Sequence, residues 1–253
     1  MTMTTDISVV TFTLGGRDKY LIKCLDSVYD DIHEQLIYNE NKIEHHLIFQ
    51  GCSSKSLEST LPYFKDSPCY KLIVHEWPQN IGIGAGLNKI IPQCKGNLIF
   101  KMDDDCKIVS GDFFERVMSL HTRFPNSVFS PFPVGLINSL GGVRGAAHRL
   151  WHDKNTDIIW TKRIVSHVGG FARFAPKSIY EKFSFENDLI SGISGNEDGQ
   201  FSSYCNAAGI EMFYLEDGLI VSHQESTLGQ ALRYPEYFST RNYEGNLTLI
   251  VEN

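Results

Sequence analysis

An α/β fold with a mostly parallel central sheet and helices on its faces is what this sequence predicts, on three observations. Short β-rich runs alternate with stretches whose apolar residues recur at helical spacing, each run ends in turn chemistry, and no repeat or Pro- or Ser-rich linker interrupts the series. The 253 residues, 42% hydrophobic and 12% aromatic, suffice for one large domain or two intimately packed subdomains.

The elements follow in order. Ile7 to Thr13 (ISVVTFT) reads as the first strand, broken by Gly15-Gly16, and Lys19 to Tyr38 has helical spacing. Glu44 to Gln50 is the second strand, with a Gly51-Cys52-Ser53-Ser54 turn and a helical pattern from Ser54 to Phe64. Tyr70 to Glu76 is the third, followed by Pro78-Gln79-Asn80 and a helix from Gly84 to Ile91. Gly96 to Met102 is the fourth, and it runs into Asp103-Asp104-Asp105. The second half is less regular. It offers a helix from Asp112 to Phe124, a strand from Ser127 to Val134, a Gly-rich stretch (Gly141, Gly142, Gly145) and the segment RLWHDKN. A strand-like run from Ile164 to Phe174, a helix from Pro176, an acidic turn NEDGQ opening another helix, and the strands EMFYLE and LIVSHQ complete it. In such sheets ligands bind beyond the carboxyl ends of the strands, so the residues after each strand carry the interest.

Thirty acidic against 23 basic residues give a formal charge of -7. That balance supplies no general attraction to nucleic acid or anionic lipid, so a phosphate-bearing partner needs a metal ion or a focused site. The six cysteines are scattered without a C-x-x-C pair and read as reduced, mostly buried thiols. No run approaches the ~18 apolar residues of a membrane helix, and MTMTTD lacks the features of a signal peptide. The expected location is cytoplasmic, or peripheral at the inner face of a membrane.

Four motifs carry chemistry. Three carboxylates after an apolar strand repel one another unless a cation neutralises them, and Mg²⁺ or Mn²⁺ suits carboxylate oxygen and bridges to phosphates. A solvated acidic turn is the plain alternative. A calcium loop is excluded, because the sixth residue from Asp103 is Ile108 and the twelfth is Phe114. The stretch NIGIGAGLN is neither a Rossmann fingerprint nor a P-loop, and Gly86 is balanced between close helix packing and a ligand role. Glu197 and Asp198 open a helix, where acidic residues are ordinary, yet one of them can serve as a general base. His223 follows the strand LIV and can complete a metal site made mainly of carboxylate, whereas His45, His46, His121 and His152 read as structural.

Taken in order, these segments resemble the large inverting glycosyltransferase family two, with its GT-A fold: a Rossmann-like, mostly parallel sheet and a smaller acceptor-side subdomain. The carriers are SVVTFTLGGRDKYLIKCLDSV, EHHLIFQGCSS, NIGIGAGLNKII, LIFKMDDD, GGFARFAPKSIYEKF, NEDGQFSSYCNAAG and VSHQES, spanning about residue 7 to about 243. The resemblance implies one domain over residues 1–253, with a nucleotide-sugar half to about residue 108 and an acceptor and catalytic-base half beyond it. It implies Asp198 as catalytic base with Glu197 orienting it or meeting the acceptor, and Asp105 and His223 as ligands of Mn²⁺ or Mg²⁺. Asp103 is implied at the donor, with Asp104 as a spacer within the donor-binding set. Thr11 and Gln50 border the base and ribose, and Asn80 and Gly82 belong to the same donor edge. One displacement at the anomeric carbon would invert its configuration.

Two departures matter. Phe49-Gln50-Gly51-Cys52 stands where the family commonly has Asp-Asp-Gly-Ser, which weakens UDP as donor. The N-x-G segment has some likeness to rhamnosyltransferases and makes a dTDP-sugar a fair guess. Gln230-Ala-Leu-Arg233-Tyr234 is similar to the Q-x-x-R-W motif of processive, membrane-embedded synthases, which a chain without spans does not match. The expected partners are a dTDP- or UDP-sugar and a glycan or lipid-linked saccharide acceptor. A nucleotidyltransferase, a non-catalytic nucleotide-sugar-binding protein, and a phage-type transferase acting on modified DNA bases through Arg144, His148, Arg149 and Lys162 are the alternatives.

Overall fold

The computed structural model describes residues 6–34, 42–64, 69–134, 147–153, 158–186, 196–215 and 218–225, with only the backbone of 147–153 and 158–161 considered. The strands are β1 (Ile7–Thr13), β2 (Ile43–Gln50), β3 (Tyr70–Trp77), β4 (Leu98–Met102), β5 (Cys106–Ile108), β6 (Val128–Ser130), β7 (Phe132–Val134), β8 (Ala147–Asp153), β9 (Ile158–Val165), β10 (Ala172–Pro176), β11 (Met212–Leu215) and β12 (Ile220–His223). The helices are α1 (Asp18–Glu34), α2 (Ile83–Ile90), α3 (Phe113–Arg123), α4 (Lys177–Tyr180) and α5 (Glu197–Ala207).

A nine-stranded sheet in the order β3-β2-β1-β4-β10-β6-β11-β9-β8 runs without a break through both halves of the chain. Only β10 and β9 run against the other strands, as their antiparallel pairings with β4, β6, β11 and β8 require. The expected α/β, GT-A-like architecture is therefore present. Strands β1, β2 and β4 are buried along their whole length, so they read as continuous apolar runs rather than alternating ones. A second sheet, β5-β12-β7, flanks the first.

Aromatic stacking ties the second half to the first. Phe100 of β4 stacks on Phe174 of β10 at 4.0 Å between centroids, Phe174 on Phe129 at 5.1 Å, and Phe129 on Phe213 at 5.6 Å. Phe113 and Phe114 of α3 close over Phe100 from the side. Each such ring buries on the order of 150–250 Å² and dominates the local packing.

Three sequence expectations are corrected. Ser54 to Phe64 is not one helix but two short 3-10 turns, Ser54–Leu57 and Leu61–Phe64, with Pro62 inside the second. Ser127 to Val134 is not one strand. The chain leaves the large sheet after Ser130 and joins the small one at Phe132, and Pro131 at the break has no N–H for either ladder. Ile164 to Phe174 is not continuous either, since β9 ends at Val165 and β10 starts at Ala172.

Gly86 proves to be a packing glycine: a Cβ there would lie 2.7 Å from Phe12 Cε1. Gly96 is tighter still, because its Cβ would meet the backbone of Ile7 and Ser8 at 2.6 and 2.5 Å. Backbone cannot swing aside as a side chain can. Gly96→Ala is expected to destabilise the fold by about 3 kcal/mol, the upper range for overpacking, read as a lowered midpoint in urea unfolding. An unchanged midpoint would contradict the packing described.

Candidate active site

The site is assembled on the carboxyl end of β4. Its strand LIFKM contains one charged residue, Lys101, which is 1% exposed. A buried ammonium persists only when paired. Lys101 Nζ donates to the Asp103 carboxylate and to the Gly170 carbonyl. Burial works against its charge, but Asp103 and Glu197 outweigh burial and raise its pKa. Lys101 is thus a fixed cation beneath the acidic turn, and the signal for it was a lysine inside an otherwise apolar strand.

The triplet is a tight turn between the two sheets. Cys106 N–H donates to the Asp103 carbonyl at 3.1 Å and Asp103 N–H to the Phe171 carbonyl at 2.8 Å. Asp103 keeps a partly exposed carboxylate, while Asp104 and Asp105 are buried at 3% and 1%. Asp104 is more than a spacer. The Arg17 guanidinium, from the loop before α1, donates to Asp104 Oδ1 at 2.8 Å and to Asp105 Oδ2, and lies 2.7 Å from Glu225 Oε2. Burial pushes the Asp104 carboxyl up to about 7, with Arg17 opposing that rise and Asp105 adding to it. Neither Arg17 nor Glu225 stood out in the sequence.

Sheet pairing delivers His223 to the turn. His223 on β12 lies opposite Cys106 on β5, and Gln224 N–H donates to the Asp105 carbonyl at 2.7 Å. His223 Nδ1 is 2.8 Å from the Glu225 carbonyl, which can only accept, so Nδ1 carries a proton. In the neutral ring that leaves a lone pair on Nε2, which sits 3.2 Å from Asp105 Oδ2. Asp103, Asp105 and His223 each offer one ligand atom, all within 4.8 Å of one another. Two carboxylates and an imidazole suit Mn²⁺, and Mg²⁺ less well because it favours an all-oxygen shell.

Across the turn stands the start of α5. Glu197 is 6% exposed and lies against Gly170, where a Cβ would collide with its carboxylate. Burial raises its pKa, Lys101 lowers it, and Asp198 raises it again. Arg173, opposite Lys101 in the β10–β4 register, is fully buried, with its guanidinium 4.5 Å from the Phe201 ring and Nε donating to Tyr180 at 3.1 Å. Glu197 and Asp198 supply negative charge to these two interior cations. Asp198 is the more open carboxylate, and His167 Nε2 stands 3.5 Å from its Oδ2. Burial acts to raise Asp198, but His167, Arg173 and the Gly199 N–H together hold it at about 2.

The remaining sequence candidates divide. Gln50 Oε1 accepts from Ile81 N–H at 3.1 Å, and Asn80 Oδ1 accepts from Gly82 N–H at 2.9 Å, so Gln50, Asn80 and Gly82 form one edge at the end of β2. Gly82 has φ 82°, where glycine is favoured. Thr11 is not brought to the cleft: its hydroxyl is fully buried, 3.0 Å from His45 Nε2. Lys162 is likewise turned inward, paired with Glu211 and set over the Phe124 and Phe213 rings. Arg144, Gln230, Arg233 and Tyr234 lie outside the described residues, and only the backbone of His148, Arg149 and His152 is described.

By sequence, no curated protein matches the chain. Among solved structures, GalNAc-T7 with UDP, GalNAc and Mn²⁺ aligns with a TM-score of 0.64 at 13% identity, over 89% of this chain and 45% of that one. The mannosyltransferase PcManGT from Pyrobaculum calidifontis, with GDP-Man and Mn²⁺, aligns at 0.63 and 14% identity, over 94% and 64%. S. aureus TarS in complex with UDP-GlcNAc aligns at 0.61 and 14% identity, over 90% and 61%. The chain thus spans between 45% and 64% of the length of these three structures. Among the described residues, no helix is long and apolar enough to cross a membrane. The family model for glycosyl transferase family 2 matches residues 8–183, which include β1 to β4, the acidic turn and β10, and the chain belongs to that family.

Proposed function

We propose that this chain is a metal-dependent inverting glycosyltransferase. In this reading it moves a hexosyl or deoxyhexosyl unit from a nucleoside-diphosphate sugar to a hydroxyl of a saccharide or lipid-linked glycan. The observation that carries the reading is Lys101, whose ammonium donates to Asp103 of the metal-type cluster and feels the charge of Glu197 at the start of α5. Donor-side and base-side groups are thereby parts of one site.

Asp103, Asp105 and His223 hold the divalent cation, which when bound neutralises charge on the departing diphosphate. Gln50, Asn80 and Gly82 line the donor edge. Asp198 takes the acceptor proton. In the resting site its carboxylate is ionised at every physiological pH, since it is held at about 2. An acceptor hydroxyl that displaces His167 removes the hydrogen bond that keeps the pKa low. Burial is then opposed only by Arg173 and the Gly199 N–H, and the carboxylate becomes a stronger base as the acceptor docks. Glu197, buried between Lys101 and Asp198, positions the base and does not meet the acceptor. The relatives above bind UDP or GDP donors, and the absence of an acid after β2 keeps a dTDP-sugar among the candidates alongside UDP-sugars.

The test is a thermal-shift screen of UDP-, dTDP-, GDP- and CMP-sugars with and without Mn²⁺ or Mg²⁺. One donor at a hundred times its Kd should stabilise by about 2.7 kcal/mol, a shift of roughly 5–10 °C, and only with metal present. Turnover should release nucleoside diphosphate. Pyrophosphate release would assign a nucleotidyltransferase instead, and no shift with any donor would sink the proposal.

A further inference from the structure

A second cluster lies at the opposite end of the sheet. Glu44 and His46, two apart on β2, share the face covered by α2, while His45 between them turns to the other face to meet Thr11 and Tyr70. Glu44 pairs in register with Ser8 at the start of β1. It is thus six residues before the donor-edge Gln50, or about 20 Å at strand rise. Cys94 closes the 3-10 turn that ends α2. Glu44, His46 and Cys94 are all at or below 3% exposure.

Their polar atoms converge. Glu44 Oε1 accepts from the Ser8 hydroxyl at 2.7 Å and from Lys95 N–H. His46 Nδ1 is 3.0 Å from His75 Nε2, and the two rings stack at 5.2 Å. His46 Nε2 is buried and faces Glu44 Oε1 at 3.3 Å, too poorly aligned for a full hydrogen bond. One ligand atom from each of Glu44, His46 and Cys94 falls within 4.8 Å of the others.

We propose that Glu44, His46 and Cys94 bind a transition-metal ion of the zinc class, pinning the end of α2 to the sheet. A carboxylate, an imidazole and a thiol form the mixed O, N and S donor set that such an ion takes. The 3.3 Å between Nε2 and Oε1 is the edge of a tetrahedron with bonds of about 2.0 Å. His75 on Nδ1 is the outer partner that orients a metal-binding imidazole. A buried ring nitrogen that faces a carboxylate oxygen without good hydrogen-bond alignment is a site that a cation between the two would satisfy. On binding, the Cys94 thiol gives its proton to solvent and the sulfur takes the metal. The ion is structural, because the cluster lies at the amino-terminal end of the strands, away from the carboxyl end of β4 that carries the acidic turn.

The purified full chain, with Mg²⁺ at saturation to occupy the acidic turn, is loaded with Co²⁺ and separately with Zn²⁺. Co²⁺ should give a near-ultraviolet thiolate charge-transfer band that persists in Asp105→Asn and is lost in Cys94→Ser. Zinc content should be near one equivalent after dialysis and should fall at least tenfold in His46→Gln. X-ray absorption of the zinc-loaded wild type, which needs no variant to fold, should show one sulfur at about 2.3 Å. A zinc shell of oxygen and nitrogen only, or a thiolate band that survives Cys94→Ser, would overturn the site. The cluster would then hold only a proton shared by His46 and Glu44.

Discussion

Asp198→Asn is expected to lower kcat about a thousandfold while leaving metal-dependent donor binding intact. An amide of the same shape still accepts from Gly199 N–H and still faces His167, so the local packing survives. What it loses is the capacity to take a proton. Removing a general base commonly costs 10²–10⁴ in rate, and the middle of that range is expected because Asp198 is the only partly open carboxylate at the start of α5. The measurement is nucleoside-diphosphate release at saturating donor and acceptor, beside a thermal shift with donor and metal. Full activity would remove Asp198 from its role. Loss of both readouts together would instead point to a broken fold, since Lys101 and Arg173 lean on the charge at this helix start.

Asp105→Asn and Arg17→Met should move metal affinity in opposite directions. Asp105 Oδ2 faces His223 Nε2 at 3.2 Å and also accepts from Arg17. A cation entering between Asp105 and His223 therefore competes with a guanidinium for one oxygen. Removing the carboxylate should abolish the Mn²⁺ dependence of donor binding. Removing the guanidinium should strip a counter-charge from Asp104, Asp105 and Glu225, lower the melting temperature of the metal-free protein, and tighten Mn²⁺ binding about tenfold, or ~1.4 kcal/mol. Titration calorimetry with Mn²⁺ reads both. Weaker binding in Arg17→Met would show that Arg17 organises the ligands rather than competing with the ion.

The sequence made the donor half legible because its signals are local. Parallel strands buried on both faces appear as apolar runs, and an acidic turn directly after one of them is visible without knowing any long-range contact. His223 could be singled out, but its arrival at Asp105 depends on β12 pairing with β5, which no local pattern encodes. Arg17 and Lys101 went unnoticed for the same reason, because a cation becomes informative only once its distant partners are known. For Thr11, strand position alone does not say which face a hydroxyl takes, and the structure sets it beside His45, buried. The second-half strands were the least legible, since Pro131 divides one apolar run between two sheets.

The short ladder between β5 and β12 has a kinetic meaning. It joins Cys106 to His223 across most of the second half of the chain, so it is a contact of high order whose loop-closure entropy is costly, and late formation is the expected outcome. The acidic turn exists as soon as β4 docks, yet its imidazole arrives last. Metal capture should therefore be among the final events of folding, reporting that the whole site is in place rather than helping to build it.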